Sequence, residues 1–588
     1  MPSSLKDQIA QWLAQAVSVV APEFDGTLEL DRPKIAEHGE FASSAALRLA
    51  KQLKRNPLEL ARAIQAALTP NSLVSRTEIA GAGFINVFLS ARAWTGGVAQ
   101  ALETGAAYGR KPAAGLHVQV EFVSANPTGP LHVGHGRGAA YGASLANLLE
   151  AAGFTVNREY YVNDAGRQMD ILALSTWLRY LELTGIHLPF PSNCYQGEYV
   201  KEMARAIYAE HNDLYIHDPW KILDGVPPRP ADEQFTADDP EARRQNEAHL
   251  DGLIAAAKRL LGSDYFYFHG FVLNEQLADG REDLEEFGVS FDRWFSEKSL
   301  FDAGEVARAV ERLKTAGHVY EQDGALWFRS AAFGDEKDRV LKRANGEYTY
   351  FASDIAYHAN KYERGFDRII DVWGADHHGY IPRVKAALAA LGLDAEKLTI
   401  ALVQFAVLYR AGQKVSMSTR SGEFVSLREL RQEVGNDAAR FYYVLRKSDQ
   451  HLDFDLDLAK SQSNDNPVYY VQYAHARICS VLAEWGGAAE SLSGTDLSPL
   501  QSAYERALMQ RLADYPQTVE VAARELAPHL LAYYLKDLAA DLHTYYNAEK
   551  FLVPGESVKR ARLCLILATR QVLSNGLKLL GVSAPERM

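Results

Sequence analysis

The sequence predicts an α/β protein with a parallel-sheet core, a small α/β domain ahead of it and a helical bundle behind it. Three observations predict that class. IIDVW (369–373) and IALVQFAV (400–407) are continuous apolar runs, as parallel strands show when covered on both faces. Strand and helix patterns alternate on both sides of one long chain insertion, which points to a split, doubly wound, Rossmann-like sheet with its ligand at the strands' carboxyl ends. From Asn466 onward the texture is nearly pure amphipathic helix.

The bulk numbers fit an ordinary soluble globular protein and argue against some classes. The chain has 588 residues, 47% hydrophobic and 23% charged, so three or more domains are expected. A net charge of −13 does not advertise a nucleic-acid partner, so any RNA surface is a local basic patch. The three cysteines (Cys194, Cys479, Cys564) are far apart, which argues against a disulfide framework or a thiolate zinc site and fits a reducing compartment. The N-terminus is amphipathic and starts with a capping pattern at Ser4 and Asp7, unlike a signal peptide. No apolar run nears the ~20 residues that span a bilayer. A cytoplasmic monomer with no membrane partner is expected.

In chain order, residues 1–112 read as a small α/β domain with helical patterns over 5–20 and 42–68 and strands near 77–80 and 84–89. Residues 113–463 form the body. Its first strand, 116–126, runs into Pro127, Gly129 and Pro130, and a helix of small residues follows from about Val133 to Ala152, ended by Gly153. That strand, turn and helix start make an anion site, because the first helical N–H groups and the positive dipole end face the strand's edge. His132 and His135 sit in the turn with Gly134 between them, two donors for phosphate beside bare backbone. Residues 185–265 read as an irregular, Pro- and charge-rich insertion, and 464–588 as the helical domain.

The ordered set Ala125-Asn126-Pro127-Thr128-Gly129-Pro130-Leu131-His132-Val133-Gly134-His135 resembles the HIGH motif of class I aminoacyl-tRNA synthetases. With an Asn six residues before the first His, it is most similar to the arginyl-tRNA synthetase family. The resemblance covers essentially the whole chain. It implies that arginine attacks ATP to give an adenylate and pyrophosphate, and that the arginyl group then passes to the terminal adenosine of tRNA. His132 and His135 would be catalytic, with Gly134 and Gly136 against ATP, and Mg²⁺ would arrive with the nucleotide. It further implies that tRNA must be present before arginine is activated.

The same resemblance sets the other expectations. GQKVSMSTRSGEF (412–424) stands where class I enzymes carry KMSKS. Aligning Met417 and Ser418 as nucleotide contacts leaves Ser416 and Thr419 in place of the two lysines, so Lys414 and Arg420 are expected to meet the departing pyrophosphate. GADHHG (374–379) has two readings. Gly374 and Asp376 lie at the ATP ribose as in class I enzymes, or Asp376, His377 and His378 bind a metal as in a phosphoesterase; the former is favoured. A guanidinium wants bidentate carboxylate. Tyr350 and Asp354 of TYFASD, with Glu297, Gln404 and Asn126, are the expected arginine contacts.

Residues 1–112 would touch the outer corner of the tRNA, the helical domain its anticodon, and Arg440, Arg446 and Lys447 the acceptor stem. The insertion would connect the two halves of the nucleotide fold. Two alternatives stay open: a catalytically silent tRNA-binding paralogue and a metal-dependent phosphoesterase.

Overall fold

The computed structural model describes residues 5–24, 28–31, 33, 35–229, 239–415 and 425–588. These divide into two compact units: 116–146 with 155–460, and 1–115 with 147–154 and 461–588. Among the described residues, no helix is long and apolar enough to cross a membrane.

The first of these units is built on a five-stranded sheet. Its strands are β1 (His117–Glu121), β2 (Thr155–Val162), β3 (Arg293–Ser296), β4 (Arg368–Gly374) and β5 (Leu398–Val403). The spatial order is β5-β4-β1-β2-β3 and every pairing is parallel. This is the doubly wound order whose reversal between β1 and β4 opens a ligand crevice. Helix α1 (Val133–Ala151) follows β1, α2 (Arg167–Leu183) follows β2, α3 (Asp264–Glu286) precedes β3, α4 (Tyr350–Glu363) precedes β4, and α5 (Leu427–Val434) comes late in the unit. Gly142 lets α1 lie directly on the sheet, since a Cβ there would stand 2.3 Å from the Phe122 ring.

Several expectations are corrected. The insertion falls between β2 and β3, inside the first half of the sheet, and the halves are instead joined by 297–367, which carries a three-stranded antiparallel sheet. Nor is the insertion irregular throughout: helices Glu198–His211 and Pro240–Leu261 bury Val200, Met203, Ile207, Leu250, Leu253 and Ile254 in a core shared with α2 and α3. Its prolines and charges mask that 3.6-residue spacing. The run IALVQFAVLY is also two strands. β5 ends at Val403, and Ala406–Arg410 pairs in parallel with Leu452–Asp455 and antiparallel with Gln413–Lys414 in a separate small sheet.

The other unit contains a four-stranded antiparallel sheet and a helical bundle. The expected helix over 42–68 is two, Ala45–Leu53 and Pro57–Ala67, because Lys54 turns left-handed and Pro57 restarts the coil at its first position. Bundle helices are Pro467–Trp485, Ala503–Arg524, Pro528–Ala548 and Glu556–Leu579. Pro516, inside the second, has no N–H for the carbonyl of Leu512, and the Tyr108 hydroxyl donates to that oxygen at 3.0 Å instead. Gly97 of helix Ala91–Thr104 crosses the same bundle helix so closely that a Cβ would lie 3.2 Å from the Ala513 Cα.

Candidate active site

The turn after β1 is stitched in place by backbone. Leu427 N–H donates to Leu131 O at 2.8 Å and Val133 N–H to Val425 O at 3.2 Å. The chain just after 416–424 is therefore paired with the histidine turn. Arg137 in α1, almost fully buried, donates to Gln404 O at 2.7 Å, Gln450 O at 2.8 Å and Lys447 O at 3.0 Å. Burial holds its guanidinium down to about 10, still charged at neutral pH.

His132 and His135 stack with centroids 3.7 Å apart and planes 22° from parallel. Gly134 N–H donates to His132 Nδ1 at 3.1 Å and His132 N–H to His135 Nδ1 at 3.3 Å. Both Nδ1 atoms accept, so the hydrogen bonds assign each ring's proton to Nε2. Burial, and then the charge of His132, push His135 down to about 3; burial also lowers His132. Both rings are neutral donors at pH 7. Gly134 is required by close approach: a Cβ would stand 2.8 Å from the His132 ring and 3.0 Å from that of Phe405. Gly136 is similarly hemmed in by Leu427 at 2.8 Å.

Gly374 closes β4, and the Asp376 carboxylate curls back so that a Cβ on Gly374 would be 2.4 Å from it. Asp376 and His377 face solvent, 3.6 Å apart. Among the described residues, no group of three or more His, Cys, Asp or Glu is arranged to hold a metal ion. Lys414 is exposed on its two-residue strand. Met417, Ser418 and Arg420 lie outside the described residues.

The other end of the site is acidic and partly apolar. Glu297 starts the helix after β3 and is 3% exposed. Its Oε1 accepts from Ser353 Oγ at 2.7 Å. Its Oε2 and the neighbouring Tyr161 hydroxyl are both buried without a well-formed hydrogen bond. Burial raises the Glu297 carboxyl, and nearby Asp354 adds to that. Asp354 is also raised by burial, although the Tyr380 hydroxyl donates to it. Tyr350, at the start of α4, is half exposed and reaches over Gly166. Asn126 accepts from Asn163 Nδ2 at 3.1 Å, and Asn163 also borders Gly166. A cleft of about 750 Å³ opens beside Glu297, Ser353 and Tyr350.

The fold thus gathers Glu297, Tyr350 and Asp354 at one end, with Asn126 adjoining, and His132, Gly134 and His135 at the other. Gln404 is not brought to the acidic end. It follows β5, and Glu297 follows β3, at opposite edges of the sheet, ~19 Å apart by strand spacing. Arg440 is also redirected: it is buried, donating to Phe287 O at 2.8 Å and Gly288 O at 3.0 Å, so no phosphate can reach it. Lys447 and Arg446 remain exposed. Tyr161, Ser353 and Tyr380 were missed from sequence, although Ser353 lies inside TYFASD and Tyr380 directly follows GADHHG.

Three family models match successive parts of the chain. "Arginyl tRNA synthetase N terminal domain" covers 3–89, "tRNA synthetases class I (R), catalytic domain" covers 97–182 and 283–453, and "DALR anticodon binding domain" covers 471–588. An arginine–tRNA ligase of Azoarcus sp. is 65% identical over 100% of both chains. This chain belongs to the arginyl-tRNA synthetase family. A second ligase of that name, from Aromatoleum aromaticum, is 64% identical over 100% of both chains. The solved Thermus thermophilus arginyl-tRNA synthetase superposes with a TM-score of 0.74 at 26% identity, covering 99% of this chain and 100% of its own. The break in the catalytic match, 183–282, falls on the helical insertion and most of α3.

Proposed function

We propose that this chain esterifies arginine to its tRNA through an enzyme-bound arginyl-adenylate, consuming ATP and releasing pyrophosphate and AMP. The observation that carries the reading is Glu297: a buried carboxylate whose second oxygen faces only the Tyr161 hydroxyl, without a well-formed hydrogen bond, beside Asp354 and open to a cleft. Such a pair is costly alone and is relieved by a planar cation with several donors. A substrate lacking the guanidinium leaves those acceptors desolvated and is rejected.

The adenylation step fits the geometry. The arginine carboxylate attacks the ATP α-phosphorus, and the bond to the bridging oxygen breaks to release pyrophosphate. Charge accumulates on phosphoryl oxygens, so positioned donors carry most of the catalysis. His132 and His135 donate from Nε2, the α1 N-terminus adds its dipole, and Gly134 lets the His132 ring fold back against the helix start. Asp376 suits the ribose hydroxyls. Mg²⁺ would travel on the phosphates, and Lys414 and Arg420 would meet pyrophosphate. Residues 1–112 and the helical domain would hold the tRNA, the latter at its anticodon. In that domain Tyr534 and Tyr545 are core residues and Arg562 pairs with Glu505 at 2.9 Å. Exposed Tyr533, and Arg477 lying 4.6 Å over Tyr473 and 4.5 Å over Tyr546, are better placed for RNA. The enzyme would act as a cytoplasmic monomer.

Arginine-dependent exchange of labelled pyrophosphate into ATP, measured with and without tRNA, tests the reading. Exchange that requires arginine supports it, and dependence on tRNA extends it. Turnover that ignores arginine and follows a bound transition metal would favour a phosphoesterase.

A further inference from the structure

Beneath the two ends of the site lies a charged cluster that neither end uses. Lys361, near the end of α4, has no exposed surface, yet its Nζ stands 2.5 Å from Glu121 Oε2 and 2.7 Å from Asp371 Oδ1. A buried ion triad of this kind is weak evidence for stability, because desolvation offsets much of the attraction. What the triad touches gives it a different meaning.

One branch runs through Glu121, the last residue of β1. Its Oε1 accepts from Ser124 Oγ at 2.9 Å, and Ser124 Oγ in turn accepts from Tyr161 N–H at 3.1 Å. Between Glu121 and Asn126 the backbone takes two consecutive left-handed residues, Val123 at φ 68° and Ser124 at φ 41°. Neither is glycine, and Val is β-branched, so each is strained and persists only where its surroundings enforce it. The next residue is clamped too, since Tyr160 OH donates to Ala125 O at 3.0 Å. Asn126 follows directly. The other branch runs through Asp371, whose Oδ2 is 3.0 Å from His358 Nε2; His358 Nδ1 lies 2.7 Å from the main-chain oxygen of Asp354.

We propose that Lys361 is a positioning residue for arginine, holding Glu121 so that Ser124 latches the strained turn that presents Asn126, and holding Asp371 and His358 behind Asp354. One ammonium thereby sets both flanks of the amino-acid site without touching substrate. The inference rests on the arginine reading of that site.

The test measures KM for arginine and for ATP separately in pyrophosphate exchange with tRNA present, together with the thermal midpoint, for Lys361→Met, Glu121→Gln and their combination. Lys361→Met is expected to raise KM for arginine roughly 30-fold, with KM for ATP within about threefold, because strain released at Val123–Ser124 misplaces Asn126 and not the histidine turn. Glu121→Gln is expected to raise it roughly tenfold, and the double variant to do no worse than Lys361→Met, since the two act in series. If Lys361→Met does not fold, Glu121→Gln alone decides by the same criteria. The proposal is overturned if KM for arginine stays near wild type while only the midpoint falls, or if both KM values rise together. A wild-type chain with no arginine-dependent exchange overturns instead the reading of the site, and is told apart because the variants are then never reached.

Discussion

The two ends of the active site solve opposite problems. On the proposed reading the phosphate end would meet a highly charged ligand with neutral groups: two stacked imidazoles kept uncharged by burial, a helix start, and a glycine that lets the His132 and Phe405 rings close in. On the same reading the acidic end would meet a cation with carboxylates that burial has made costly to ionise. The difference teaches where selectivity resides. Neutral donors accept any triphosphate of the right shape and act most as charge develops. Desolvated carboxylates are satisfied only by the partner that restores their hydrogen bonds.

The largest expected effect that separates the two ends comes from His135. His135→Ala should lower kcat for exchange about 10²–10³-fold, the usual cost of one positioned donor, with KM for arginine nearly unchanged. An equal rise in KM for arginine would break the division of labour. A second prediction concerns pH. Carboxyls raised by burial protonate first as acid is added, and only their ionised forms pair with a guanidinium. KM for arginine should therefore climb as pH is lowered, beginning at a higher pH than for ordinary carboxylates. His135, held near 3, contributes no acid limb to kcat near neutral pH. A flat KM profile for arginine would contradict the account. The smallest effect is at Lys414, an exposed cation; Lys414→Ala should slow pyrophosphate exchange only a few-fold, and a complete loss would show a role far beyond charge.

The same contrast explains what could be read in the sequence. The phosphate end is contiguous, so its candidate residues, His132 through Gly136, lie in one stretch, and α1 ends just before Gly153 at φ 96°. The acidic end is assembled from β3, α4 and the turn after β4. Glu297, Tyr350 and Asp354 were expected there through resemblance, and the neighbours that surround them, Tyr161, Ser353 and Tyr380, depend on tertiary approach. Gln404 lies away from Glu297 because one apolar run hides a strand break, and nothing in its composition says that β5 is the far edge of the sheet. Arg440 shows the converse, since a cation in a basic stretch can be buried and held by backbone carbonyls. The insertion's helices were obscured by its prolines and charges, although their buried spacing was present throughout.

The most direct test of the central claim is Glu297→Gln, with arginine titrated in pyrophosphate exchange and unfolding followed in parallel. Its carboxyl is raised in the folded state, so at neutral pH the ionised form destabilises the fold, and removing that charge should leave the thermal midpoint unchanged or raise it by about 2 °C. Over the same comparison kcat/KM for arginine should fall by about 10³-fold or more, as expected when a buried acceptor for a substrate donor is lost. A variant that kept arginine activation within a few-fold of wild type would contradict the claim that this buried carboxylate grips the guanidinium.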